Sequence, residues 1–267
     1  MIIDKSKYQT KEELFKFLRD NKKTLIAQKK ATLKHSDGII VAQMPISKGF
    51  AVKAANNDSN VLLATVVINT TNYLDSHDDV HISGLWSKTL QENKNIFHLQ
   101  EHQNEFSKII SSGNDLKAYT KEYKWEELGY NFEGETEALI FESSIKRERN
   151  DFMFNQYKNG WVDNHSVGMQ YVKLDLAINE NDTEEKQIWD RYINLIANKQ
   201  QAINQGFFWA VTEAKMFEGS AVVRGSNDAT PTISIENKII EPSNGTQKTI
   251  DTQIVEPSQT KKLSFLI

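Results

Sequence analysis

Residues 61 to 68 read Val61-Leu-Leu-Ala-Thr-Val-Val-Ile68, and the reading of these eight decides the fold. They are the longest apolar run in the chain and are rich in β-branched side chains, far short of the roughly 20 residues a membrane-spanning helix needs. The run predicts a buried strand. Outward from it, residues 39 to 145 repeat the theme in shorter apolar or alternating runs (Ile39 to Met44, Leu116 to Trp125, Ala138 to Glu142) separated by Asn, Asp and Gly. Two more strands are expected at His165 to Leu176 and Phe207 to Phe217. Helices interrupt them at Leu85 to Asn93, at Arg147 to Tyr157 and at Asp182 to Gln200. The last opens on the capping-box pattern Asp182-Thr-Glu-Glu185 and carries Ile188, Trp189, Tyr192, Leu195 and Ile196 on one face. The fold class read from this order is α+β, mainly β.

The flanks differ from the body. Thr10-Lys-Glu-Glu13 is another capping-box pattern, after which Leu14, Phe17, Leu18 and Leu25 recur at near-helical spacing until Asp37-Gly38; a break is expected near Asn21. Residues 1–38 thus form an N-terminal basic amphipathic helix, residues 39–228 the body, and residues 229–267 a Thr/Ser/Asn/Pro-rich tail too polar to offset its ordering entropy and expected to be flexible. The tail repeats itself, Ile239-Ile-Glu-Pro-Ser243 recurring as Ile254-Val-Glu-Pro-Ser258. A docking peptide, a processing site and a chance duplication all account for it.

The net charge of −4 hides an asymmetry, since residues 1 to 35 hold ten Lys/Arg against four Asp/Glu and the remainder is therefore at −10. Such an arm suits nucleic acid or an acidic protein, or is a solvated lysine-rich helix face. No stretch near Met1 has the basic, apolar and small-residue order of a secretory leader, so the protein is expected to stay where it is made. With no cysteine, thiolate nucleophiles and cysteine-ligated zinc are excluded, and any metal site needs His and carboxylates.

Five of the six histidines (His77, His81, His98, His102, His165) crowd into fewer than 90 residues. His98-Leu-Gln-Glu-His102 matches the H-x-x-E-H signature of inverted zinc peptidases, in which one helix face offers two imidazoles and a water-activating carboxylate. Phe97 and Leu99 alternate with polar neighbours, however, and in a strand Glu101 points away from the histidines. The rival chemistry starts at Asn164-His-Ser-Val-Gly168, a serine at a strand start with a glycine two residues on, which permits close approach of a substrate backbone.

Four blocks, in order, resemble the prohead (capsid maturation) proteases of tailed bacteriophages, a family related to herpesvirus assemblin. They are Asp75-Ser-His-Asp-Asp79-Val-His-Ile-Ser-Gly84-Leu-Trp-Ser-Lys-Thr-Leu90, Ile96 to His102, His165-Ser-Val-Gly-Met169, and Thr212-Glu-Ala-Lys-Met-Phe217 followed by Ala221-Val-Val. Together they span about residues 47 to 230. Asp78-Asp79 departs from the family's Gly-Asp, Ala214 stands where Val is usual, and the helix at 182–200 is similar to an insertion.

The resemblance implies an assemblin-like closed antiparallel β-barrel with peripheral helices. It also implies a serine endopeptidase with Ser166 as nucleophile, His102 as base and Glu213 as third member, His165 and His77 being the alternatives for that place. No cofactor or metal is implied. The expected partners are the major capsid protein precursor, the scaffold and the protease itself, cleaved in the host cytoplasm inside the procapsid or virion. Homo-oligomers there fit this picture; membrane and nucleic acid are not expected. A scaffold-like or capsid-interior virion protein without enzymatic activity is the alternative on the same fold.

Overall fold

The computed structural model describes residues 3–33 and 59–237. The expected strand at 39–44, the Asp37-Gly38 stop and both copies of the repeated tail peptide lie outside the described residues.

Two helices open the chain, α1 (Lys11–Asp20) and α2 (Lys22–Ala31), with the break at Asn21. The Thr10 hydroxyl accepts from the Glu13 N–H and so satisfies one of the donors a helix start leaves unpaired. Leu14, Phe15 and Leu18 turn inward, while four of the basic residues meet the chain's own acidic body. Arg19 pairs with Glu180, Lys22 with Glu185 at 2.8 Å, Lys5 with Asp78 at 2.6 Å and Lys29 with Asp79 at 2.6 Å. The last pair is buried on both sides, so removing either charge strands the other. These cations of the arm are thus engaged within the molecule.

The body follows as β1 (Val61–Thr70), β2 (Asp79–His81), α3 (Ser87–Glu92), β3 (Phe97–Gln100), β4 (Ile109–Ser112), β5 (Leu116–Lys124), β6 (Glu135–Lys146), α4 (Asp151–Lys158), β7 (His165–Ile178), α5 (Glu184–Tyr192), α6 (Lys199–Gln205), β8 (Phe207–Ala221) and β9 (Thr232–Asn237). The result is α+β, mainly β. One antiparallel sheet has the order β5-β6-β1-β9. In the other, β8 pairs with β7 along one edge and shares its second edge between β2 and β3, both parallel to it, with β4 antiparallel on β3.

The inner faces share one apolar cluster, in which Leu62, Val66 and Ile68 of β1 and Phe141 of β6 meet Val167, Met169 and Tyr171 of β7 and Trp209 and Val211 of β8. Gly219 lets the layers touch, since a Cβ there would lie 2.6 Å from the Phe141 ring and 2.9 Å from Ile68. Among the described residues no strand pairing joins the two sheets, which face one another, and the closed barrel expected from resemblance is not found there. No helix among these residues is long and apolar enough to cross a membrane.

Two expectations need correction. The helix expected over 182–200 is two, α5 capped by Thr183 and α6 after a short 3-10 turn, together covering Phe208 and Ala210 on the outer side of β8. The tail does not loosen at 229. Ala229 and Thr230 are buried and β9 closes the free edge of β1, because edge pairing satisfies backbone hydrogen bonds without demanding many apolar side chains.

Candidate active site

The site lies on the outer face of the second sheet, where β7 begins and β8 ends. Val167 and Met169 point into the core, so strand alternation turns Ser166 and Gly168 outward. On β8 the alternation is interrupted. Met169 pairs with Met216 but Gly168 pairs with Glu218, leaving Phe217 as an extra residue. This bulge shifts the strand's phase. Met216 faces the core, yet Gly219 and Ala221 face it too. Glu218 and Ser220 are thereby brought outward, opposite Gly168 and Ser166 respectively.

Gly168 has a definite task in this arrangement. A Cβ at 168 would lie 1.9 Å from Glu218 Oε1, so only glycine leaves room for the carboxylate to rest on β7. The open space read in the sequence as room for a substrate backbone is filled by the protein's own side chain.

His102 arrives from β3, which runs parallel to β8 with His98 beside Gly219 and Leu99 beside Ser220. Beyond Gln100 the chain reverses, the Gln103 N–H donating to the Gln100 carbonyl at 3.0 Å, with Glu101 and His102 both at positive φ (51° and 56°). Two such central residues mark a type I′ turn, a conformation that favours Gly, Asn and Asp. Here it carries Glu and His. The His102 N–H donates to Ser220 Oγ at 3.1 Å, and Nδ1 lies 2.6 Å from Glu218 Oε1. Because a carboxylate only accepts, Nδ1 is the protonated nitrogen and a neutral ring keeps its lone pair on Nε2. Ser166, 7% exposed, lies directly across from Ser220, their cross-strand Cβ atoms roughly 5 Å apart, at the end of β8 where His102 bonds Ser220 and Glu218.

The remaining expected residues lie elsewhere. Glu213 does not reach His102. It precedes the bulge, sits at the Lys173 register, and is held by Lys173 at 2.5 Å and Lys88 at 3.2 Å. Hydrogen bonds from these two ammonium groups hold its carboxyl below the usual range. Five residues of strand, roughly 16 Å, separate it from Glu218. His77 belongs to the turn before β2, its N–H donating to Asp75 Oδ1 at 2.8 Å. Asp75, His77 and Asp79 bring potential metal ligands together, but the Lys29 ammonium already bonds Asp79 there. Since β2 pairs with residues 209–211 of β8 and β3 with 218–221, this cluster lies most of a strand length from His102.

His165 and His98 face inward. His165 Nδ1 lies 3.0 Å from the Thr230 carbonyl and Nε2 2.9 Å from the Tyr157 hydroxyl, which also meets His98 Nε2 at 3.1 Å. His98 Nδ1 meets Ser143 Oγ at 2.9 Å, and Ser143 meets Ser111 at 2.6 Å. The single carbonyl sets the direction of every proton. His165 must donate from Nδ1 and accept at Nε2 from Tyr157; Tyr157 then accepts from His98 Nε2–H, and His98 accepts from Ser143. Both rings are neutral, burial lowering His165 to about 4 and His98 well below its ordinary value.

The H-x-x-E-H stretch is therefore a strand and a turn, with His98 in the core, Glu101 exposed and His102 on the opposite face. It cannot present two imidazoles and a carboxylate from one helix face.

Glu218 and Ser220 escaped the sequence reading. An acid two residues before a serine, inside an otherwise apolar strand, was the available signal, but without the bulge strand alternation puts Glu218 on the face of Met216. No family model, curated protein or solved structure matches the chain, so the reading of the site rests on its geometry.

Proposed function

We propose that the protein is a serine endopeptidase working through Ser166, His102 and Glu218. The observation that carries this reading is the 2.6 Å contact of His102 Nδ1 with Glu218 on the face that bears Ser166. Ser166 Oγ attacks the scissile carbonyl carbon while its proton passes to His102 Nε2, and Glu218 balances the imidazolium that forms. The tetrahedral intermediate collapses as His102 returns the proton to the leaving amine. Water, deprotonated by the same nitrogen, then hydrolyses the acyl ester and restores Ser166.

By its resemblance to prohead proteases, the substrates are the capsid protein precursor, the scaffold and the chain itself, cut inside the procapsid, and the two facing sheets are the counterpart of the assemblin-like barrel. The test has two parts. A fluorophosphonate probe is expected to label Ser166 in the wild-type protein and neither Ser166→Ala nor His102→Ala, and coexpression with the capsid precursor is expected to shorten the precursor only with the wild type. A folded protein that neither reacts with the probe nor cuts the precursor is a virion docking protein instead.

A further inference from the structure

Ser220 is fully buried and lies directly across from Ser166. Its hydroxyl donates to Glu218 Oε2 at 2.6 Å and accepts the His102 backbone N–H at 3.1 Å. Neither bond can run the other way, because a carboxylate has no proton to give and an amide N–H has no lone pair to offer. With its proton on Glu218, Ser220 is not a rival nucleophile.

We propose that Ser220 is a positioning residue that holds both halves of the His102–Glu218 pair, an inference that rests on the peptidase reading above. Its bond to Oε2 sets the plane of the carboxylate, so that Oε1 lies against Gly168 and faces Nδ1. Its bond to the His102 N–H fastens a turn whose two central residues occupy a backbone region that Glu and His disfavour. One hydroxyl thereby joins the conformation of the turn to the orientation of the acid. A serine that merely filled space would leave both unchanged when replaced by a group of similar size.

The experiment uses the full chain. Ser220→Ala is expected to lower kcat by about 10- to 100-fold, the effect of losing a hydrogen bond to a charged group, with KM changed less than about threefold because no substrate contact is lost. Ser220→Cys, near serine in volume but a weak donor, is expected to show the same pattern and serves if the alanine variant fails to fold. Glu101→Asn, at an exposed site where asparagine adopts the left-handed conformation more readily, is expected to restore part of the loss. Nitrogen NMR of the His102 ring, which needs no activity, is expected to show a single Nδ1–H tautomer in the wild type and a mixture in Ser220→Ala. An unchanged tautomer together with an unchanged kcat, or a loss confined to KM, overturns the proposal. A wild type without peptidase activity overturns the peptidase reading alone, and the tautomer comparison still decides the role of Ser220.

Discussion

His98 and His102 are four residues apart and live in different chemical worlds. The inner histidine belongs to a chain of hydroxyls and imidazoles that, among the described residues, meets no carboxylate and ends on a backbone carbonyl. The outer one meets a glutamate at 2.6 Å. Hydroxyl partners let an imidazole be neutral and immobile, which serves packing; a carboxylate partner stabilises the protonated form, which a proton shuttle needs. Residue type alone does not distinguish the two, and the identity of the partner does.

The contrast breaks most visibly on activity. His102→Gln is expected to cut kcat/KM by about a thousandfold or more while the protein stays folded, whereas folded His98→Gln is expected to keep kcat/KM within about threefold. Equal losses in the two variants, together with chelators abolishing the wild-type activity, would restore the zinc reading. Gly168→Ala touches neither serine nor histidine, yet the methyl group must displace Glu218; a loss of about a hundredfold in kcat with little change in melting temperature is expected. Unaltered kinetics would mean that the carboxylate is not needed where it sits.

Acid should act on the inner cluster. His165 is lowered to about 4 in the folded state by burial, against about 6.5 when unfolded. As pH falls the unfolded chain takes up its proton first. The stability is therefore fully present above about pH 6.5 and declines toward pH 4, by about 3 kcal/mol from this residue, with His98 adding in the same direction. Urea unfolding at several pH values measures it, and a flat profile between pH 6.5 and 4 would contradict buried neutral rings. Tyr157→Phe removes the hydroxyl between the rings and should cost about 1–3 kcal/mol with activity retained, seen as a lower melting temperature. The smallest effect is expected from Glu213→Gln. Its partners are surface lysines, whose pairing contributes little, so the melting temperature should be nearly unchanged and kcat/KM should move by less than about twofold; a larger kinetic loss would return Glu213 to the site.

Much of the fold was legible in the sequence. The strand at Val61, the break at Asn21 and the Thr10 cap follow from local rules, and the structure places each within a residue or two, although Glu13 accepts from the Gln9 N–H and so does not complete a capping box. The start of β7 beside Ser166 was legible for the same reason, whereas His102, read by resemblance as the end of a strand, lies in the turn two residues beyond β3. Glu218 was not, because its outward face depends on which β8 residue has no partner, a property of two strands together. The packing of 229–237 was hidden likewise, since the free edge of β1 that receives it cannot be read from the tail's composition.

Phe217 acts on β8 as a single inserted base acts on a reading frame. Upstream the even-numbered positions 214 and 216 are interior; downstream the interior positions are 219 and 221. If Phe217 were paired as an ordinary strand residue, the alternation of 214 and 216 would run on, driving a carboxylate and a hydroxyl into the hydrocarbon layer and turning Gly219 and Ala221 to the surface. The unpaired place of Phe217 is therefore as much a part of the site as any side chain the strand displays.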